Sequence, residues 1–200
     1  LGIDVTNGFS GGNYFKEIKL TENNLGASGN NNPNQIVLAE QIFRIPLVPV
    51  YNQNSTDTPL GTVGVAINGI PVYNPFEDQN ETAAYGRIFS SCCGHPQRNG
   101  VYHYHKYPTC LRYIDGDNFK TEKVKCDNID QLIQSGEHSP LIGFALDGWP
   151  IYGPVGWVDE TRNSKLLSSS YTGPLDNSGN LTFIENSGDL DICNGISSPT

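Results

Sequence analysis

The sequence predicts a mainly-β fold, sandwich-like or barrel-like, with two pseudo-repeated halves and short connecting helices. Three observations predict it. Charged residues make up only 16% of the chain, while glycine (22) and proline (13) are abundant; that mix suits short strands joined by explicit turns better than long helices. A twelve-residue apolar segment with a turn at its centre occurs twice. Each copy carries Asn-Gly or Asp-Gly at the turn, a strong short-range hairpin signal.

The copies are Gly64–Pro75 and Gly143–Pro154, identical at six of twelve positions. Both read as β-hairpins (64–75 and 143–154) closed by type I′ turns at Asn68-Gly69 and Asp147-Gly148. Pro71 and Pro150 follow the turns, where a missing N–H is expected on an outward edge. Further strands are expected at Phe15–Leu20, Ile36–Ala39, Ile42–Ile45, Val101–Tyr107 and Leu181–Glu185. Segments 27–34 and 52–59 read as loops. Asn80–Phe89 reads as a capped helix weakened by Gly86, and Asp127–Gln134 as a second short helix closed by Gly136. Asp115-Gly116-Asp117-Asn118 opens like a calcium loop, but Phe119 stands at the third ligand position and the sixth-position glycine is missing, so it reads as an acidic turn. No linker divides the chain, and residues 1–200 are expected to form a single domain.

A net charge of −9 without a basic stripe argues against nucleic acid or an anionic membrane as partner. No apolar run approaches the roughly 18 residues of a membrane span. The five cysteines (92, 93, 110, 126 and 193) form no C-x-x-C pair and are expected in disulfides, Cys110 with Cys126 behind the Val101–Tyr107 strand. Sequons at Asn54, Asn80 and Asn180 agree with a secreted or cell-surface glycoprotein. The odd cysteine count asks for a free thiol, an intermolecular bridge or a partner beyond the sequence. Cys193-Asn194-Gly195-Ile196 lines up with Cys92-Cys93-Gly94-His95, so a second Tyr/His-rich strand is expected just past Thr200, with the chain truncated before it.

The chemistry concentrates on four histidines, His95, His103, His105 and His138. In Tyr102-His103-Tyr104-His105, alternation along a strand puts His103 and His105 on one face, about 7 Å apart at the backbone. Their rings can converge on one ion, and the short Pro96–Gly100 loop can return His95 as a third ligand. His138 and Asp147 are expected as support or alternative ligands. Tyr102 and Tyr104 face the other way, into the core, and are kept as adjacent alternatives. An all-imidazole set suits copper, zinc or nickel; copper is favoured and zinc is the alternative. Any enzymatic activity would first be copper-dependent redox chemistry. Two other readings stand beside this one. In the first, the histidines are packed and hydrogen-bonded in a structural or adhesive surface module that contacts a glycan, small molecule or matrix protein. In the second, a His–Tyr pair serves a metal-independent lyase or hydrolase. Ser139 beside His138 lacks any nucleophile-elbow motif.

The segments Gly64–Pro75, Ser91–Cys110, His138–Pro154 and Asp189–Gly195 together resemble the YHYH domain family of secreted or surface proteins. The motifs that carry the resemblance are Cys-Gly-His-Pro, Tyr-His-Tyr-His and His-Ser-Pro-Leu-Ile-Gly. It implies a Tyr/His-rich strand following Cys193 and no particular activity.

Overall fold

The computed structural model describes residues 2–3, 34, 36–37, 39–52, 54, 56, 58–76, 89, 93–108, 111, 137–172 and 181–197. Its centre is a six-stranded sheet of β3 (Thr62–Ala66), β4 (Pro71–Tyr73), β5 (Gly94–Pro96), β6 (Tyr102–Tyr104), β7 (Leu141–Ala145) and β8 (Pro150–Tyr152), in the order β5-β6-β4-β3-β7-β8. All neighbours are antiparallel except β4 and β6. There are also three two-stranded sheets among the described residues: β1 (Gly2–Ile3) with β2 (Phe43–Arg44), β9 (Val155–Trp157) with β10 (Ser164–Leu166), and β11 (Tyr171–Thr172) with β12 (Thr182–Phe183). The class is therefore mainly β, in several sheets. The six strands do not close into a barrel, because β5 and β8 remain as edges.

The two hairpin segments form β3–β4 and β7–β8 with the same register: Thr62 pairs Tyr73 as Leu141 pairs Tyr152, and Val65 pairs Pro71 as Phe144 pairs Pro150. Each has an irregularity at the same place, before Gly64 and before Gly143. Their turns differ from the expected type I′. In each, a three-residue loop carries one i to i+3 bond, Gly69 N to Ala66 O and Gly148 N to Ala145 O. Only the glycines, at φ 81° and 95°, have positive φ. A left-handed glycine after a single tight turn closes a three-residue hairpin, and the preceding Asn or Asp need not leave ordinary backbone space. Asn68 and Asp147 instead use their side-chain oxygens to accept from Ile70 N and Trp149 N. Pro150 lies on edge strand β8 as expected. Pro71 does not; it sits inside the sheet, where β4 meets β6 only at Val72–Tyr104 and no ladder bond is asked of the missing N–H.

The likeness between the hairpins does not extend to their flanks. β4 is continued by β6 and β5, whereas β8 ends the sheet. The core lies on one sheet face, where Ala66, Tyr102, Tyr104, Leu111 and Ile142 are buried together. Burying each large side chain contributes about 1.5–3 kcal/mol.

Ile42–Ile45 narrows to β2, Val101–Tyr107 to β6 and Leu181–Glu185 to β12. Residues 36, 37 and 39 are not strand. Val37 N makes one backbone bond, to Gly100 O, and Ile36 packs on the core; one bond anchors the segment without starting a ladder. The expected strand at 15–20, both expected helices and the acidic turn at 115–118 lie outside the described residues, apart from Phe89. So do Cys92, Cys110 and Cys126. Cys93 is fully buried and disulfide-bonded, whereas Cys193 is exposed with a free thiol. Among the described residues, no helix is long and apolar enough to cross a membrane.

Candidate metal centre

The site begins with the tight connection between β5 and β6. Gln97 N donates to Val101 O, and Gly100 N donates back to Gln97 O with Gly100 at φ 85°. Asn99 Oδ1 accepts from Val101 N and stiffens the turn. This geometry sets the register that places His95 directly opposite His103. Cross-strand partners share a face and lie within side-chain reach. His105, two residues past His103, returns to that face. The intervening Tyr102 and Tyr104 point into the core, ring centroids 5.8 Å apart and nearly perpendicular. Asn68 Nδ2 donates to the Tyr104 hydroxyl at 3.0 Å. Burial pushes that hydroxyl's pKa up to about 12, with the Asn68 bond opposing the shift, so it stays protonated.

The Nε2 atoms of His95 and His103 are 3.0 Å apart, and those of His103 and His105 2.9 Å. On the far side of two of these rings, Nδ1 meets a backbone carbonyl: Val101 O at 3.1 Å for His103 and Asn74 O at 2.6 Å for His105. A carbonyl only accepts, so each Nδ1 carries the proton, and in the neutral ring Nε2 is left with a lone pair. His103 Nε2 has one lone pair and two nitrogens beside it. Two neutral rings held this way face lone pair to lone pair and repel; either a proton on the Nε2 of a neighbouring ring or a metal ion removes the conflict. His103 does not carry the extra proton at neutral pH. Burial drives its pKa down to about 4; the Val101 bond acts against this shift and the His105 charge adds to it.

Neighbours hold the rings in place. Tyr73, at the end of β4, stacks on His103 with centroids 4.0 Å apart and planes within 20°. It meets His105 edge-on at 5.7 Å, and its hydroxyl donates to Gln97 Oε1. Phe89 lies against His95 at 5.1 Å and His105 at 6.3 Å. Asn74 is itself anchored: Nδ2 donates to Pro59 O, Oδ1 accepts from Phe76 N, and its backbone N donates to Gly61 O. The carbonyl that fixes His105 is therefore not free to swing.

His95, His103 and His105 are thus brought together, each offering one ligand atom, all within 4.8 Å of one another. His138 is elsewhere. Its Nδ1 donates to Ser139 O at 2.7 Å, and its ring meets Tyr152 and Trp157 edge-on, both at 5.1 Å. Asp147 stands in the exposed β7–β8 turn. Ser139 is buried, its N and Oγ both engaged with the Val155 backbone. Sequence reasoning missed Tyr73, Asn74 and Phe89. The Tyr common to both hairpin segments was the available signal, since Tyr73 contacts His103 and Tyr152 contacts His138.

Fold and site together define a β-sheet protein with a sheltered three-histidine cluster on the sheet face opposite its core. A family model described as YHYH protein matches residues 42–200, and the chain belongs to the YHYH family. No curated protein and no solved structure matches it.

Proposed function

We propose that this chain is an extracellular metal-binding protein that holds one divalent ion, copper in preference to zinc, on the Nε2 atoms of His95, His103 and His105. One observation carries the reading: His103 Nε2 lies at hydrogen-bond distance from the Nε2 atoms of both His95 and His105, while backbone carbonyls fix the protons of His103 and His105 on the opposite nitrogen. The donors fit a borderline metal, because neutral imidazole is a ligand of copper, zinc and nickel.

One consideration favours copper: it stands above zinc in intrinsic affinity for nitrogen sites. Secretion or surface display belongs to the same proposal, supported by the sequons and the buried Cys93 disulfide.

The test is metal analysis of the purified protein, with electron paramagnetic resonance of the copper-loaded form. One equivalent of copper is expected, with nitrogen hyperfine coupling. The variant with His95, His103 and His105 all replaced by alanine should bind none and keep its far-UV circular dichroism. Retention of stoichiometric metal by that variant would exclude the site.

A further inference from the structure

We propose that Asn54 carries an N-linked glycan and that this glycan covers the exposed apolar segment 46–51. The proposal rests on the extracellular part of the reading above and is independent of the metal.

The apolar segment supplies the first argument. Between β2 and β3, Leu47, Val48, Val50 and Tyr51 are 71%, 74%, 79% and 73% exposed. Their backbone lies on the β7–β8 turn: a Cβ added to Gly148 would stand 2.7 Å from Pro46 O and 3.5 Å from Pro49 Cβ. Trp149, beside that glycine, is exposed as well. Several large apolar side chains left together in water form a patch through which copies of a chain self-associate. A hydrophilic cover over the patch prevents it.

Asn54 supplies the second. It follows Tyr51 by three residues, so even an extended chain keeps it within about 11 Å of that residue. Asn54-Ser55-Thr56 is an acceptor sequon, and Asn54 and Thr56 are both exposed. The local turn is made by Asn52, whose Oδ1 accepts from Asn54 N at 3.1 Å. The Asn54 carboxamide takes no part in that turn, and none of the described residues hydrogen-bonds it. The co-substrate is an oligosaccharide carried on a polyprenyl diphosphate. The carboxamide nitrogen attacks its anomeric carbon, and a C–N bond forms as the anomeric C–O bond breaks. The lipid diphosphate leaves, and the nitrogen gives up one of its two protons. The product is a bulky, strongly hydrated group at the edge of the apolar segment.

The experiment treats full-length protein from its own source with peptide-N-glycosidase in heavy-oxygen water and reads its peptides by mass spectrometry. A labelled aspartate at position 54 is expected. Unlabelled asparagine there, with label at position 80 or 180, overturns the inference and leaves secretion supported. Absence of label from all three positions overturns the inference and removes the sequons' support for secretion, without touching the metal. The covering role is read on folded protein. Enzymatic deglycosylation is expected to raise the fluorescence of a dye that binds apolar surface and to shift sedimentation toward larger species. Asn54→Gln should do the same with the other sequons intact, and adding Leu47→Ser and Val50→Ser should return both readings to the parent's. If neither deglycosylation nor Asn54→Gln moves them, the glycan does not cover the segment and that half of the proposal falls.

Discussion

The ring of Tyr73 lies 4.0 Å from the ring of His103 and within 20° of parallel to it. This contact exists because β4 and β6 run side by side, joined at Val72–Tyr104. It ties the orientation of the most buried histidine to a strand outside the Tyr-His-Tyr-His segment.

Replacing Tyr73 tests that link. A stacked aromatic pair contributes about 0.5–1.5 kcal/mol beyond area burial, and loss of a group that orients a ligand lowers metal affinity by about 10–100-fold. Tyr73→Ala should show both effects, by urea denaturation and by calorimetric copper titration. Tyr73→Phe keeps the stack and should bind nearly as the parent does. Parent-like affinity in the alanine variant would show that the stack does not orient His103.

The second prediction concerns pH. His103 in the folded protein takes up a proton only near pH 4, against 6.5 ordinarily, chiefly because burial penalises the charged ring. Between these values the unfolded chain binds more protons at this position, so stability rises with pH. The contribution is complete above about pH 6.5 and is lost as pH falls toward 4, on the order of 3 kcal/mol in all. Metal-free protein should therefore unfold at lower urea at about pH 4 than at neutrality. His103→Gln should lose most of that difference. An equal acid sensitivity in the variant would mean that other groups carry it.

How much of this the sequence revealed follows from the range of the interactions. The three histidines were legible because they depend on local rules: strand alternation puts His103 and His105 on one side, and a short turn ending at Gly100 returns His95. The hairpins were legible from Asn68-Gly69 and Asp147-Gly148, although a single left-handed glycine replaced the expected pair of positive-φ residues. Tyr73 and Asn74 were not legible as site residues. They reach the site through the parallel β4–β6 contact, and no periodicity announces which distant strands will be neighbours. His138 resembled a ligand because it sits in a dense motif; in the fold its neighbours are Tyr152 and Trp157, brought by β8 and β9.

Asn74 provides the third prediction. Its side chain bonds Pro59 O and Phe76 N while its own carbonyl accepts from His105. Asn74→Ala removes both bonds in a part-buried setting, at a cost of about 0.5–1.5 kcal/mol for each. It also frees the carbonyl that fixes the His105 proton. Lower stability and weaker copper binding should appear together. A variant that loses stability but binds copper as the parent does would separate the carbonyl's position from the metal site.

The last prediction sets two glycines against each other. A Cβ on Gly143 would stand 2.8 Å from Ala66 Cα and 2.9 Å from the Val65 carbonyl carbon, all backbone, where β7 crosses close to β3. Backbone cannot step aside without breaking the β3–β7 pairing, so Gly143→Ala should cost more than the about 1–3 kcal/mol usual for overpacking. A Cβ on Gly94 meets the Tyr102 ring, with Cε1 and Oη both 2.5 Å away. A side chain can turn where a strand cannot, so Gly94→Ala should fold, though with Tyr102 displaced and His95, the next residue, shifted. Circular dichroism with urea denaturation should rank Gly143→Ala as the more damaging change, and copper titration should find Gly94→Ala folded but weakened in metal binding. If Gly143→Ala were as stable as the parent, the close approach of β7 to β3, and the sheet order built on it, would be wrong.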